Sequence, residues 1–242
     1  MGLSKNQLKL ITSLAQKKYR TKNNLFIAEG RKVVSECLNS KFRLEHLYCV
    51  DNSSYKNLDN VTLISTTELK KMSSLSTPNN VLALFEIPEK DSFVKEGLIL
   101  ALDDIMDPGN LGTIIRLCDW FGVDQLICSI NSVDCYNSKV VQASTGSITR
   151  VSIVYTDLKR YLRHHELPKY AAIMEGDNVY KMELPKNAIL IMGNEANGIN
   201  NDVLQLSNNT ISIPRFGKLQ KTESLNVASA TSILLSEFNR LI

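Results

Sequence analysis

Five polar residues that could take part in chemistry lie at the ends of predicted strands: Asn110, Arg116, Glu195, Ser224 and Asn226. Asn110 and Arg116 are six residues apart across a loop-to-helix junction, so both can face one site if the helix begins near residue 111. Glu195 lies among small, turn-forming residues that let a ligand approach the backbone. Ser224 and Asn226 alternate around one apolar residue, which puts both polar groups on the same side. Together the set offers a cation, a carboxylate, amides and a hydroxyl to a polar ligand.

Each of these residues also has a plainer explanation when it is taken alone. Asn110 could cap a helix, Arg116 could form a surface ion pair, and Ser224 could cap the last helix. Their combination favours a functional site, because open α/β sheets bind ligands at the carboxyl ends of their strands.

Several common kinds of site are excluded by their missing motifs. The loop 193–198 has the glycine spacing of a phosphate-binding loop, but Ile199 and Asn200 follow where Lys and Ser or Thr are required. No GxGxxG follows the first strand of the second domain, and no GxSxG surrounds Ser224. The five cysteines form no CxxC, and the three histidines form no HExxH. We therefore expect no metal site, and reduced thiols in a cytoplasmic protein.

Short apolar runs bounded by turn residues predict the buried strands that position these side chains. In the second half of the chain the predicted strands are 98–102, 125–130, 170–174, 188–192 and 210–213. Helices are predicted between them, over 111–121, 137–147 and 157–165, and a last helix begins at Val227. Because strands and helices alternate, we predict an α/β fold with a mostly parallel sheet.

The first part of the chain is predicted to form a smaller α/β domain. Its predicted strands are 25–28, 44–50, 61–64 and 81–87, with helices over 3–18, after Arg31 and near 67–72. The segment 88–92 is polar and begins with a proline, so it is the best linker in the chain. We therefore divide the chain into domains 1–92 and 93–242.

The last helix carries two apolar stripes. One consists of Val227, Ala230, Leu234, Phe238 and Leu241, and the other of Ala228, Leu235 and Ile242. Two stripes predict a helix covered on two sides, by its own sheet and by a partner subunit.

Charge and hydropathy restrict the possible partners. The chain is 43% hydrophobic and 22% charged with a net charge of +3, which excludes a general polycation. The basic cluster 17–22 is either a solvated helix end or a phosphate contact. No apolar run reaches the roughly 18 residues of a membrane helix, so no membrane partner is expected.

Three segments closely resemble the three motifs of the SpoU (TrmH-like) branch of the SPOUT methyltransferases. They are LDDIMDPGNLGTIIRLCDWFG, LIMGNEANGIN and IPRFGKLQKTESLNVA. Two segments of the first domain, FIAEGRKVVSECL and LSTPNNVLALFEIP, resemble the SpoU-type substrate-binding domain. The resemblance implies methylation of an RNA ribose 2′-hydroxyl with S-adenosylmethionine. It also implies a deep trefoil knot in the C-terminal domain, a rare exception among folds, and a homodimer formed through that domain.

The resemblance also implies roles for individual residues. Asn110 and Arg116 match the polar pair of the first motif, Glu195 the acid of the second, and Ser224 and Asn226 the pair of the third. The cofactor would lie against Met192, Gly193, Ile213 and Leu225. A cationic Arg116, oriented by Asn110 and Glu195, would bind a phosphate and stabilise the developing alkoxide, because a guanidinium hardly ever loses its proton. Ser224 and Asn226 would position the ribose.

The RNA target stays open at this stage. The extra first domain favours large-subunit ribosomal RNA, while transfer RNA and a non-catalytic ribosome-assembly role on the same fold are the alternatives. The sequence departs from the usual family pattern at Asn79-Asn80, Cys118 and Gln142, and the spacer 218–223 is longer than in many relatives. None of these departures removes a proposed catalytic residue.

Overall fold

A computed structural model describes residues 2–219, 221 and 223–240. The helices are α1 (Lys5–Ser13), α2 (Lys17–Asn23), α3 (Arg31–Leu38), α4 (Thr66–Met72), α5 (Pro108–Phe121), α6 (Ser138–Ser144), α7 (Leu158–His164), α8 (Asn201–Leu204) and α9 (Val227–Phe238). The strands are β1 (Leu25–Glu29), β2 (Leu44–Cys49), β3 (Val61–Leu63), β4 (Val81–Glu86), β5 (Leu98–Leu102), β6 (Gln125–Ser129), β7 (Ile153–Thr156), β8 (Lys169–Asn178), β9 (Ala188–Met192) and β10 (Asn209–Ser212).

The chain forms two compact units. The first comprises the chain up to Glu89 together with Asp134–Arg150, and the second comprises Lys90–Val133 together with the chain from Val151 onwards. The division into 1–92 and 93–242 stays a prediction, and it does not anticipate that Asp134–Arg150 pack with the first unit.

The first unit contains a four-stranded sheet in the order β1-β4-β2-β3. β1 and β2 each pair antiparallel with β4, whereas β3 pairs parallel with β2. All five residues of β1 are buried, because α2, α3 and α6 pack against this strand. The predicted single helix over 3–18 is wrong: the chain breaks between Ser13 and Lys17 and forms two helices.

The second unit contains a parallel six-stranded sheet in the order β10-β8-β9-β5-β6-β7. This confirms the prediction of an α/β fold with a mostly parallel sheet. The central strands β5 and β9 are buried along their whole length, as is typical of parallel strands covered on both faces. The edge strand β7 was not predicted, because only one of its four residues is buried and it has no continuous apolar run.

Both apolar stripes of α9 are already covered within one chain. In the first stripe Val227, Leu234 and Phe238 are buried, and in the second Ala228 and Leu235 are buried. α9 packs against α5 in the same unit. The second stripe is therefore no evidence for a partner subunit, and that interpretation of the sequence is wrong. Leu241 and Ile242 lie outside the described residues.

Burial keeps the cysteine thiols of this chain unreactive. All five cysteine side chains are buried as thiols, and burial raises the pKa of Cys37 and of Cys128 to about 12. Such thiols stay protonated and unreactive at neutral pH.

Among the described residues, no helix combines the length and the apolar character needed to cross a membrane.

Candidate active site at the ends of β5 and β9

Two neighbouring strands deliver the central loops of the candidate site. β5 and β9 are paired in parallel register, with Leu102 opposite Met192, so the segments that follow them leave the sheet side by side. The segment after β5 leads into α5, whose start is fixed by Asp107. The Asp107 Oδ1 atom accepts a hydrogen bond of 2.7 Å from the backbone N–H of Asn110, as is usual for a helix N-cap.

A chain of side-chain hydrogen bonds joins three of the predicted site residues. Asn110 Nδ2 donates to Glu195 Oε1 at 2.8 Å, and Asn226 Nδ2 donates to Asn110 Oδ1 at 2.9 Å. The Oδ1 atom of Asn226 accepts from the backbone N–H groups of Ala228 and Ser229. Asn226 is therefore the N-cap of α9, and the bond network connects segments more than 80 residues apart in the sequence.

The loop between Gly193 and Gly198 is held by Asn194, which is not among the predicted site residues. The backbones of Asn194 and Gly198 bond to each other in both directions, at 2.9 and 3.0 Å. The Asn194 side chain accepts from the N–H groups of Ala196 and Asn197 and donates to the carbonyl of Asp104 at 2.6 Å. Asparagine followed by small residues is a recognised turn signal, so the sequence contains enough information to predict this turn-forming role of Asn194.

Close packing explains the glycine at the start of this loop. A Cβ atom on Gly193 would lie 2.3 Å from the carbonyl carbon of Gly198 and 2.3 Å from the nitrogen of Ile199. Gly198 itself has φ +67°, in the left-handed region that favours glycine. Any larger residue at position 193 would push the loop open.

Asp103 bonds to the residues on both sides of the loop 193–198, and it is likewise not among the predicted site residues. Its backbone N–H bonds to the carbonyl of Met192 at 2.9 Å, and its Oδ2 atom accepts from the backbone N–H of Asn200 at 2.7 Å. Burial raises the pKa of this carboxyl, and the bond from Asn200 partly opposes that rise. Asp103 thus ties β5 to both ends of the loop after β9.

The prediction that the six-residue spacing lets Asn110 and Arg116 face one site is wrong. It required a helix that begins near residue 111, but α5 begins at Pro108 and Asn110 is its third residue. Six residues of α-helix turn through about 240° and rise about 9 Å, so the two side chains leave the helix in different directions. Arg116 is exposed, and no side-chain hydrogen bond or ion pair links it to another described residue.

The remaining predicted residues differ in how far they are exposed. Ser224 is exposed and forms no hydrogen bond within the described part of the chain, so it does not cap α9. Leu225 is 49% exposed, Ile213 is half-buried after β10, and Met192 is buried at the end of β9. No group of three His, Cys, Asp or Glu side chains within the described ranges is placed to hold a metal ion.

These surroundings fit a nucleoside-type cofactor. Leu225, next to Asn226 in the sequence, keeps an apolar side chain exposed to solvent, and the backbone of the loop 193–198 carries Glu195 into the polar network. An adenosyl group needs apolar contact together with backbone hydrogen bonds, which are the groups found here.

Comparison with known proteins identifies the chain. The model of the SpoU rRNA Methylase family matches residues 97–236, and the model of the MRM3-like substrate binding domain matches residues 5–83. The chain belongs to the SpoU rRNA methylase family. The predictions of this family and of a methyltransferase enzyme are confirmed.

Individual relatives of this SpoU methylase cover nearly its whole length. A Bacillus subtilis protein named 23S rRNA (guanosine(2553)-2′-O)-methyltransferase RlmP is 29% identical over 96% of both chains. A TrmH-family protein of known structure from Porphyromonas gingivalis is 36% identical over 98% of both chains, with a TM-score of 0.88. An AdoMet-bound rRNA methyltransferase from Sinorhizobium meliloti is 26% identical over 98% of this chain and 97% of that one, with a TM-score of 0.86.

Proposed function

We propose that this SpoU methylase transfers a methyl group from S-adenosylmethionine to a ribose 2′-hydroxyl of large-subunit ribosomal RNA. The observation that carries the proposal is the hydrogen-bonded chain Asn226–Asn110–Glu195, which joins the three motif segments at one end of the sheet. The names of its full-length relatives, a 23S rRNA 2′-O-methyltransferase among them, support ribosomal RNA as the substrate class.

The cofactor lies against Met192, Gly193, Ile213 and Leu225 in this proposal. When bound, the sulfonium supplies an activated methyl group with a good leaving group. The protein therefore contributes mainly alignment and help in removing the hydroxyl proton. The loop held by Asn194 and Asp103 supplies the rigid support that such alignment requires.

Arg116 acts as a cation in this proposal. Its guanidinium has no carboxylate partner among the described residues, so it is available for a phosphate next to the reacting ribose and for the developing alkoxide. Arg116 takes no part in the Asn110–Glu195 bond, so in this proposal the bound RNA orients the Arg116 guanidinium. Ser224 and Asn226 position the ribose, with Asn226 fixed by its place at the start of α9.

The experiment is a comparison of RNA methylation in cells with and without the protein. Mapping of 2′-O-methyl groups is expected to show one ribosomal RNA position that loses its mark on deletion and regains it with the wild-type chain, but not with Arg116→Ala. Loss of a mark in transfer RNA alone would replace the substrate by the tRNA alternative. An unchanged map, with no binding of S-adenosylmethionine by the purified protein, would favour the non-catalytic alternative and contradict the proposal.

We also propose a cytoplasmic homodimer formed through a knotted C-terminal unit. Large apolar side chains left exposed in that unit, Trp120 at 84% and Met106 at 57%, support an interface there. The route of the chain supports the knot: from the edge strand β10 it returns to Asn226, which bonds to Asn110 beside the central strands. The buried thiols agree with a reducing compartment.

A further inference from the structure

The net positive charge of this chain comes from its N-terminal segment. Residues 1–28 contain six Lys and Arg residues and no Asp or Glu. The whole chain has 28 basic and 25 acidic residues, so in the remainder 22 basic residues are outnumbered by 25 acidic ones. The excess that makes the protein basic therefore resides in the segment that forms α1 and α2.

One of these cations holds the two helices in place. Arg20 is buried, and its Nη1 atom donates to the carbonyls of Leu14 and Ala15 between α1 and α2, at 2.8 and 3.0 Å. Its Nε and Nη2 atoms donate to Asp134 Oδ2. Arg20 is thus a structural residue of the basic cluster 17–22, and it fixes the angle between the helices.

A cleft of about 550 Å³ lies between α1 and α2. Its lining includes Asn6, Lys9, Gln16, Tyr19, Lys22 and Asn23, and none of the described residues that line it is acidic. Lys9 and Lys22 are exposed and form no ion pair with another described residue. Lys18 lies 4.8 Å from the centre of the Tyr19 ring, so a third cation borders the cleft.

We propose that the cleft between α1 and α2 binds the sugar–phosphate backbone of the RNA substrate, with Lys9 and Lys22 contacting phosphate oxygens. Unpaired lysines bind phosphate as point charges, and the side-chain amides of Asn6 and Gln16 add donors for phosphate or ribose oxygens. A half-buried tyrosine among cations is typical of surfaces that bind single-stranded or looped RNA. The proposal rests on the proposed RNA methyltransferase function and assigns to the first unit its substrate-contacting surface.

The test compares two charge-reversal pairs of equal net charge. The variant Lys9→Glu/Lys22→Glu alters the cleft, whereas Lys56→Glu/Lys70→Glu alters two exposed lysines of the same unit outside it. RNA affinity is measured by fluorescence anisotropy on a large-subunit ribosomal RNA fragment at several salt concentrations. S-adenosylmethionine affinity is measured by calorimetry, and the thermal melt reports folding. Lys9→Gln/Lys22→Gln serves as a neutral second variant in case the reversal disturbs the fold.

We expect the cleft reversal to weaken RNA binding about tenfold or more and to lower the salt slope of binding by about two. The binding of S-adenosylmethionine and the melting temperature stay near wild type. The control pair is expected to bind RNA within about twofold of wild type. Unchanged RNA affinity in both cleft variants, or an equal loss in the control pair, overturns the proposal and leaves the cleft to another partner, such as an acidic protein.

Failure of this proposal is distinguishable from failure of the proposed function. If the wild-type protein methylates ribose and the cleft variants do so with an unchanged KM for RNA, the cleft proposal fails while the function stands. If no RNA accepts a methyl group from the wild-type protein, the function fails whatever the variants bind.

Discussion

Both ends of the Asn110 side-chain amide are occupied, which makes this residue sensitive to a change of a single atom. Its nitrogen donates to Glu195 and its oxygen accepts from Asn226. An asparagine at this position can link a carboxylate to a second amide, whereas an aspartate cannot, because two carboxylates cannot share a bond without a proton.

Asn110→Asp is therefore expected to break the contact with Glu195, lowering methyl transfer about tenfold and stability by about 1 kcal/mol. The double variant Asn110→Asp/Glu195→Gln restores a donor facing an acceptor and is expected to regain most of both losses. Methyl-transfer rates and urea unfolding of the two variants measure this. If the double variant is no more active and no more stable than Asn110→Asp, the Asn110–Glu195 hydrogen bond does not account for the contribution of these residues.

Arg116→Ala is expected to reduce methyl transfer by at least about 100-fold, because it removes the cation proposed to stabilise the alkoxide. S-adenosylmethionine binding stays close to wild type, since Arg116 is bonded to none of the residues proposed to hold the cofactor. Single-turnover methylation and calorimetry separate the two effects. Loss of cofactor affinity together with activity would contradict the role of Arg116 in stabilising the alkoxide.

At the scale of elements, Asn226 has two separable functions. Its Oδ1 atom caps α9, and its Nδ2 atom donates to Asn110. Asn226→Asp keeps the cap and loses the donor to Asn110, so we expect a loss of about 1 kcal/mol in stability, similar to that of Asn110→Asp, with reduced methyl transfer. Asn226→Ala loses both, at an additional cost of about 1 kcal/mol in stability. Thermal melts and methylation assays of the pair provide the measurement, and equal stability of the two variants would contradict the capping role.

The N-terminus of α4 carries a pH-dependent contribution to stability. Glu68 accepts from the backbone of Ser65 and of Leu3, and these bonds lower its pKa from 4.5 to about 2. A carboxyl whose pKa is lower in the folded state stabilises the protein above its unfolded pKa, and the benefit is lost as the pH falls from 4.5 to about 2. Glu68→Gln is expected to flatten the fall in stability across that range. Urea unfolding at pH 6 and pH 3 tests it, and parallel pH profiles for the two proteins would refute it.

How far the sequence predicts the elements depends on where their stabilising contacts are. The runs 98–102 and 188–192 match β5 and β9 residue for residue, because buried parallel strands are continuous apolar segments. The break between α1 and α2 contains no proline or glycine. It is stabilised instead by Arg20, which donates to the carbonyl of Leu14 and is held by Asp134, a long-range contact that no local pattern shows.

The candidate site was predictable to a similar degree. The motif resemblance selected Asn110, Glu195 and Asn226, which the structure brings together. Asp103 was not selected because it acts through the backbone of a loop almost 100 residues away. The relative directions of Asn110 and Arg116 depended on where α5 begins, and helix ends are the feature least fixed by sequence.

At the scale of the whole molecule, Trp120 reports on the proposed homodimer. It is the single tryptophan and is 84% exposed on α5. If the partner covers it, its emission shifts to the red on dilution, and light scattering gives twice 27.1 kDa at high concentration. Trp120→Glu is expected to favour the monomer, whereas Leu63→Glu, at an exposed apolar residue of the first unit, is not. A mass of 27.1 kDa at every concentration would exclude the dimer.

The chain crosses between its two units three times, since Asp134–Arg150 leave the second unit and return to it. Within the first unit this strap buries Val140 and Val141, packs the Tyr136 ring 4.9 Å from that of Phe26, and pairs Arg150 with Glu36 at 2.6 Å. A fragment cut at residue 92 would expose the strap's apolar side and aggregate. Recombination that transplants the catalytic half onto a foreign RNA-binding module therefore has to bring a receptor for this strap, which restricts how freely such enzymes can diversify by domain exchange.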